Sequence, residues 1–138
     1  AKSTLPTDTI THYLRDDHAG VRNTVLDHIG RTQDAALETA LRDYIENDPG
    51  AERDEDHLLR CYKALGRCGG QASVTFLGEI LLNRSAGDLL RFGATAHRHG
   101  AALALKQTPG ESARQLLEKA GKSLFPAIRS AYRKAMTT

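Results

Sequence analysis

The stretch Leu14–Gly30, LRDDHAGVRNTVLDHIG, decides how the rest of the chain is read. It opens on the last residues of one helix, crosses a short acidic turn, and enters a second helix at Val21-Arg22. Val21, Val25, Leu26 and Ile29 fall at i, i+4, i+5 and i+8, an apolar stripe at helical spacing. Asn23, Asp27 and Arg31 lie off that stripe and are expected to face water. Asp16 or Asp17 stands where a carboxylate can accept the free amides of the helix start. Gly30 is the natural left-handed exit. Upstream, Ile10, Tyr13 and Leu14 place a first helix over roughly residues 7–15. Isolated helices of about a dozen residues are marginal in water, so the two must pack on each other and then on a neighbour.

The hairpin recurs. Aligned on their closing apolar residues, the second helices end at Ile29, Leu65, Leu105 and Met136. Arg22 then falls level with Arg98 and Arg129, while Leu58 holds that position in the second copy. First helices follow from Leu37/Leu41/Tyr44/Ile45, Val74/Leu77/Leu81 and Leu116/Leu117/Ala120. Four helix pairs with a period of about 30–47 residues are the signature of an α-solenoid. The chain is therefore expected to be all-α, one domain over residues 1–138, with repeats near 7–31, 33–69, 71–107 and 109–137.

Punctuation supports the same division. Asn47-Asp48-Pro49-Gly50 ends helix three, begun near Gln33, and Gly69-Gly70 ends helix four, begun near Glu52. Helix five, residues 73–83, carries Ile80-Leu81-Leu82 and is expected to be the most buried. Asp88 is the expected cap of helix six, residues 89–106, along which Gly93, Ala96, Gly100 and Ala104 form a small-residue side suited to close packing. Pro109 is expected to open helix seven and Pro126 to sit in the first turn of helix eight.

DDHAGVRNTVLDHIG resembles the turn and second helix of a HEAT repeat of the bacterial, lyase-type kind. Thr108 to Ala135 resembles a terminal copy. The resemblance implies a right-handed alpha-alpha superhelix and an inter-repeat ladder formed by Asp16, Arg22, Arg98 and Arg129. The second copy departs from the pattern at Leu58 and fills its turn with the acidic run Glu52–Asp56. The third lacks an acid before Arg98. On this view the Asp16 carboxylate caps helix two while Arg22 reaches toward the next repeat as a partly exposed pair of modest energy.

The resemblance implies a protein–protein interaction scaffold without catalysis, whose partner is another protein. The expected docking face is the ridge of second helices: Asn23, Asp27, Arg31, Lys63, Arg67, His99, Leu103 and Lys134. Alternatives are an enzyme or enzyme subunit of the HEAT-like class, with a pocket near His57, Cys61 and residues 83–88, or a regulatory segment of a longer signalling protein. Deoxyhypusine hydroxylase, one such enzyme, needs His-Glu pairs, and none occurs here. Nothing identifies the bilin site of a phycobilin lyase. Gly69-Gly70-Gln71 matches a release-factor tripeptide but joins two helices.

Composition narrows the field. Net charge is +2 and aromatics are 5%, with no tryptophan. Neither phosphate gripping nor base stacking has much material, which argues against a nucleic-acid groove of the DNA-glycosylase kind. His12/Asp16 and His57/Cys61 are spaced i, i+4, but neither pair has a third ligand in view, so no metal and no cofactor are expected. Cys61 and Cys68 lie too far apart on one helix to bridge and read as reduced thiols of a cytoplasmic protein. No apolar run is long enough for a membrane span. A chain beginning at Ala1 reads as a processed start or as a fragment of a longer protein.

Overall fold

A computed structural model describes residues 7–83 and 94–137 of the 138. Their regular structure is helical throughout: α1 (Thr7–Leu14), α2 (Ala19–Thr32), α3 (Ala35–Asn47), a 3-10 turn (Pro49–Glu52), α4 (Glu55–Cys68), α5 (Gln71–Leu82), α6 (Ala94–Gln107), α7 (Glu111–Gly121) and α8 (Pro126–Met136). The helices pack in pairs, α1 on α2, α3 on α4, α5 on α6 and α7 on α8. The even-numbered helices also pack in chain order, α2 on α4, α4 on α6 and α6 on α8, while α1 packs on α3 and α5 on α7.

Local chemistry sets the boundaries. Asp34 caps α3 by accepting from the amides of Ala36 (2.8 Å) and Leu37 (3.4 Å). Asp54 caps α4 through the His57 amide at 2.8 Å. Each leaves fewer orphan donors at a helix start. Gly69, at φ 71°, closes α4 in the left-handed conformation. Pro126 occupies the first turn of α8, where no amide partner is lost.

Several expected boundaries move. Gly30 does not end α2. The helix continues to Thr32, and Gln33, at φ 54°, is the left-handed residue. Gly30 serves packing instead, because a Cβ there would lie 2.9 Å from the Arg67 Nε crossing over it. Pro109 does not open α7, which begins at Glu111 behind Gly110. The preceding Thr108 is buried, and its hydroxyl lies 2.9 Å from both the Gly66 and the Ala104 carbonyls, tying the ends of α4 and α6 together. Asp88, Gly93 and the rest of residues 84–93, with the expected start of helix six at residue 89, fall outside the described residues.

α6 is the central helix, not α5. Every residue from Ala96 to Leu105 is buried, whereas Ile80 and Leu82 of α5 keep partial exposure. The cause is the tight seam between α4 and α6. A Cβ at Gly66 would drive into the Ala104 backbone, and one at Gly100 into the Tyr62 ring. Small residues at Ala101, Ala102 and Ala104 let α6 lie among α4, α5, α7 and α8 at once.

That placement overturns two members of the expected docking face. His99 is 5% exposed and Leu103 3% exposed. A helix with neighbours on several sides has no outward stripe at those positions, which a pairwise helical pattern does not reveal.

Candidate functional site

Four of the remaining ridge residues come together. Asn23 and Asp27 from α2, Lys63 and Arg67 from α4, with Arg60 and Gln107, line one groove of about 290 Å³. Arg67 reaches it because Gly30 leaves room for the guanidinium to lie across α2, where its Nη1 stands 3.4 Å from Asp27 Oδ1. The other oxygen of Asp27 pairs with Arg31 at 3.0 Å. One carboxylate thus serves two guanidiniums. Arg60 is held by Asp56, one turn back on α4, at 2.8 Å. Lys134 is exposed at the α8 end of the ridge. Its charge reaches the buried His99, which is shifted below the usual histidine range first by burial and then by Lys134.

The expected ladder takes another form. Arg22 is buried, and it turns back on its own hairpin to donate to the Asp16 backbone carbonyl at 2.7 Å. The Asp16 carboxylate accepts the His18 amide at 2.8 Å, which tightens the turn and holds the acid below its usual range. The link between pairs comes from Arg53, which donates to the same Asp16 carbonyl at 2.9 Å and pairs with Asp17 at 3.4 Å. Arg98 repeats the clamp on the Asn83 carbonyl at 2.7 Å, and Arg129 on the Ser123 carbonyl at 2.9 Å. In the second pair Leu58 fills the arginine position as a fully buried apolar residue.

Two buried tyrosine–histidine contacts were not visible in the sequence. Tyr44 Oη lies 3.0 Å from the Leu14 carbonyl and 2.9 Å from His57 Nε2. The hydroxyl has one proton, which goes to Leu14, so His57 must carry its hydrogen on Nε2. Its Nδ1 then has no hydrogen-bond partner among the described residues. A second proton there would be buried without an acceptor, and burial, followed by the Arg22 charge, lowers His57 to about 4.

The second contact has the outline of a hydroxyl–imidazole–carboxylate relay. Tyr62 Oη meets His97 Nδ1 at 2.7 Å, and His97 Nε2 meets Glu52 at 2.7 Å. Burial raises the Tyr62 hydroxyl well above the usual range, the reverse of what a nucleophile needs. Its ring is fully enclosed. This relay ties the 3-10 turn to α4 and α6.

The pocket expected near His57 and Cys61 is instead core. Both side chains are buried, with Cys61 Sγ 3.7 Å from His57 Nε2. Burial raises the Cys61 thiol, and raises Cys68 to about 11. Among the described residues no group of three or more His, Cys, Asp and Glu side chains is gathered as a metal site requires. A larger cleft of about 760 Å³ opens between α5 and α7, floored by Val74, Gly78 and Leu116, with Glu79 and Lys119 among its lining residues. Among the described residues no helix is long and apolar enough to cross a membrane.

No protein-family model matches this chain, and no curated protein matches it.

Proposed function

We propose that this chain is a short right-handed superhelix of HEAT-like helix pairs and works as a protein–protein interaction module in the cytoplasm. The ordered packing of α2, α4, α6 and α8 supports the superhelix, as does the recurrence of one arginine clamp at Arg22, Arg98 and Arg129. The partner docks on the ridge formed by α2, α4 and the end of α8. One observation carries this reading: four ridge residues, Asn23, Asp27, Lys63 and Arg67, converge on a single open groove. The side chains with catalytic outlines, His57, Cys61, Tyr62 and His97, are shut inside the core and lend an enzyme reading no support.

Site-directed photocrosslinking tests the module. A crosslinker at Asn23 should trap a discrete partner from the native cell extract, while one at Arg114 on α7 should not. The double variant Lys63→Glu/Arg67→Glu, shown to be folded by its thermal melt, should lose the adduct. Equal trapping at Arg114, or an adduct indifferent to the double variant, would refute docking on this ridge.

A further inference from the structure

We propose that the groove between α2 and α4 receives an acidic segment of the partner protein, with its carboxylates on Arg60, Lys63 and Arg67. This rests on the docking reading above and adds the chemistry of what docks.

Charge balance carries it. Among the described residues, four cations at the groove and its edge, Arg31, Arg60, Lys63 and Arg67, are set against two ion-paired carboxylates, Asp27 and Asp56. Asp27 is divided between two guanidiniums, so neither is fully neutralised. Lys63 stands between Arg60 and Arg67 on α4 and forms no ion pair among the described residues. Arriving carboxylates complete this set at small desolvation cost, because the groove is open to water. The side-chain amides of Asn23 and Gln107 offer further donors on the same walls.

The groove suits a peptide better than a nucleic acid. Among the described residues no aromatic side chain lines it, so they offer no platform for a base. Its volume, about 290 Å³, matches about ten waters, room for one or two acidic side chains rather than a duplex backbone. Asp27 inside the groove also opposes a continuous run of phosphates.

The test uses the whole chain and a fluorescein-labelled peptide of alternating Glu and Gly. The comparison probes are the same peptide with Gln for Glu and a single-stranded oligonucleotide of equal formal charge. Fluorescence anisotropy should show the Glu peptide binding in about 0.05 M salt and weakening about tenfold or more in about 0.5 M salt. The Gln peptide should not bind. Lys63→Glu/Arg67→Glu should abolish binding, and Arg114→Glu, on α7, should leave it unchanged. If the double reversal does not fold, Lys63→Gln/Arg67→Gln serves, with an expected loss of about tenfold. Equal binding of the Gln peptide, tighter binding of the oligonucleotide, or indifference to groove substitution would overturn the assignment. Failure of the Glu peptide to bind, with ridge-dependent crosslinking retained, would remove the acidic-segment assignment and leave the module. Failure of both would remove both.

Discussion

Arg22 and Arg129 do the same work at opposite ends of the chain. Each donates from Nη1 to the carbonyl six residues earlier, Asp16 at 2.7 Å and Ser123 at 2.9 Å. In each turn that earlier residue also uses its side-chain oxygen to accept the amide two residues on, His18 at 2.8 Å and Phe125 at 3.1 Å. Asp and Ser are interchangeable here because both can close such a turn.

Replacing Arg22 by alanine therefore empties a buried side-chain site and leaves the Asp16 carbonyl with Arg53 as its charged donor. We expect a loss of about 2 kcal/mol, more than the slight effect an exposed ion pair would have. Arg129→Ala should cost less, since Arg129 keeps partial exposure. Chemical denaturation of the two variants side by side checks the order. Equal and negligible losses would mean that water replaces the arginine at both turns.

Glycine substitutions should separate by location. At Gly66 an added methyl meets the Ala104 backbone, which cannot rotate away, so Gly66→Ala should cost about 3 kcal/mol or prevent folding. At Gly20, in the first turn of α2, nothing lies within 4 Å of the added carbon. Gly20→Ala should stabilise by about 0.5 kcal/mol through helix propensity. Thermal melts of both variants decide the matter.

Acid should weaken the fold earlier than its carboxylates alone would require. His57 titrates near 4 in the folded chain and near its ordinary value of about 6.5 when unfolded. Between those values the unfolded chain binds a proton that the folded chain refuses. The contribution of His57 is thus present above about pH 6.5 and is lost as the pH falls toward 4. His99 is shifted in the same direction. The melting temperature of the native chain should fall across this window, and that of His57→Gln should fall less steeply. Parallel slopes would assign the acid sensitivity elsewhere.

The two thiols should be silent in the native state. Cys61 is fully buried and Cys68 nearly so, Cys68 Sγ lying 3.6 Å from the Ile29 carbonyl. Burial raises both thiols, so little reactive thiolate forms at neutral pH. A thiol reagent should label neither at pH 7 and both in denaturant, with Cys68 reacting first as denaturant is added. Rapid native labelling of Cys61 would contradict the packing of α4.

Helix content and pairing were legible in the sequence because they rest on short-range signals. Asn47-Asp48-Pro49-Gly50 and Gly69-Gly70 mark the ends of α3 and α4, and the apolar spacing of Val25, Leu26 and Ile29 shows one buried side. Faces that depend on a second neighbour were not. His99 and Leu103 look outward if α6 has one partner and are buried because it has several. The Glu52–His97–Tyr62 relay joins residues far apart in the chain, and Glu52 sits in an acidic run that reads as a solvated turn. Lys63 and Arg67, expected on the ridge because they lie off the apolar stripe of their helix, line the groove together with Arg60, which the ridge pattern did not include.

The seam where Gly66 admits the Ala104 backbone divides the molecule into a slow interior and fast ends. Opening it means parting two backbones and releasing Thr108 from both carbonyls, so the amides of α4 and α6 should trade hydrogen for deuterium only through global unfolding. Those of α1 and α8, each flanked by fewer neighbours, should trade through local fraying. The groove lined by Asn23, Asp27, Lys63 and Arg67 lies beside that seam. Its α4 wall belongs to the slow interior, and its α2 wall is packed directly on that helix.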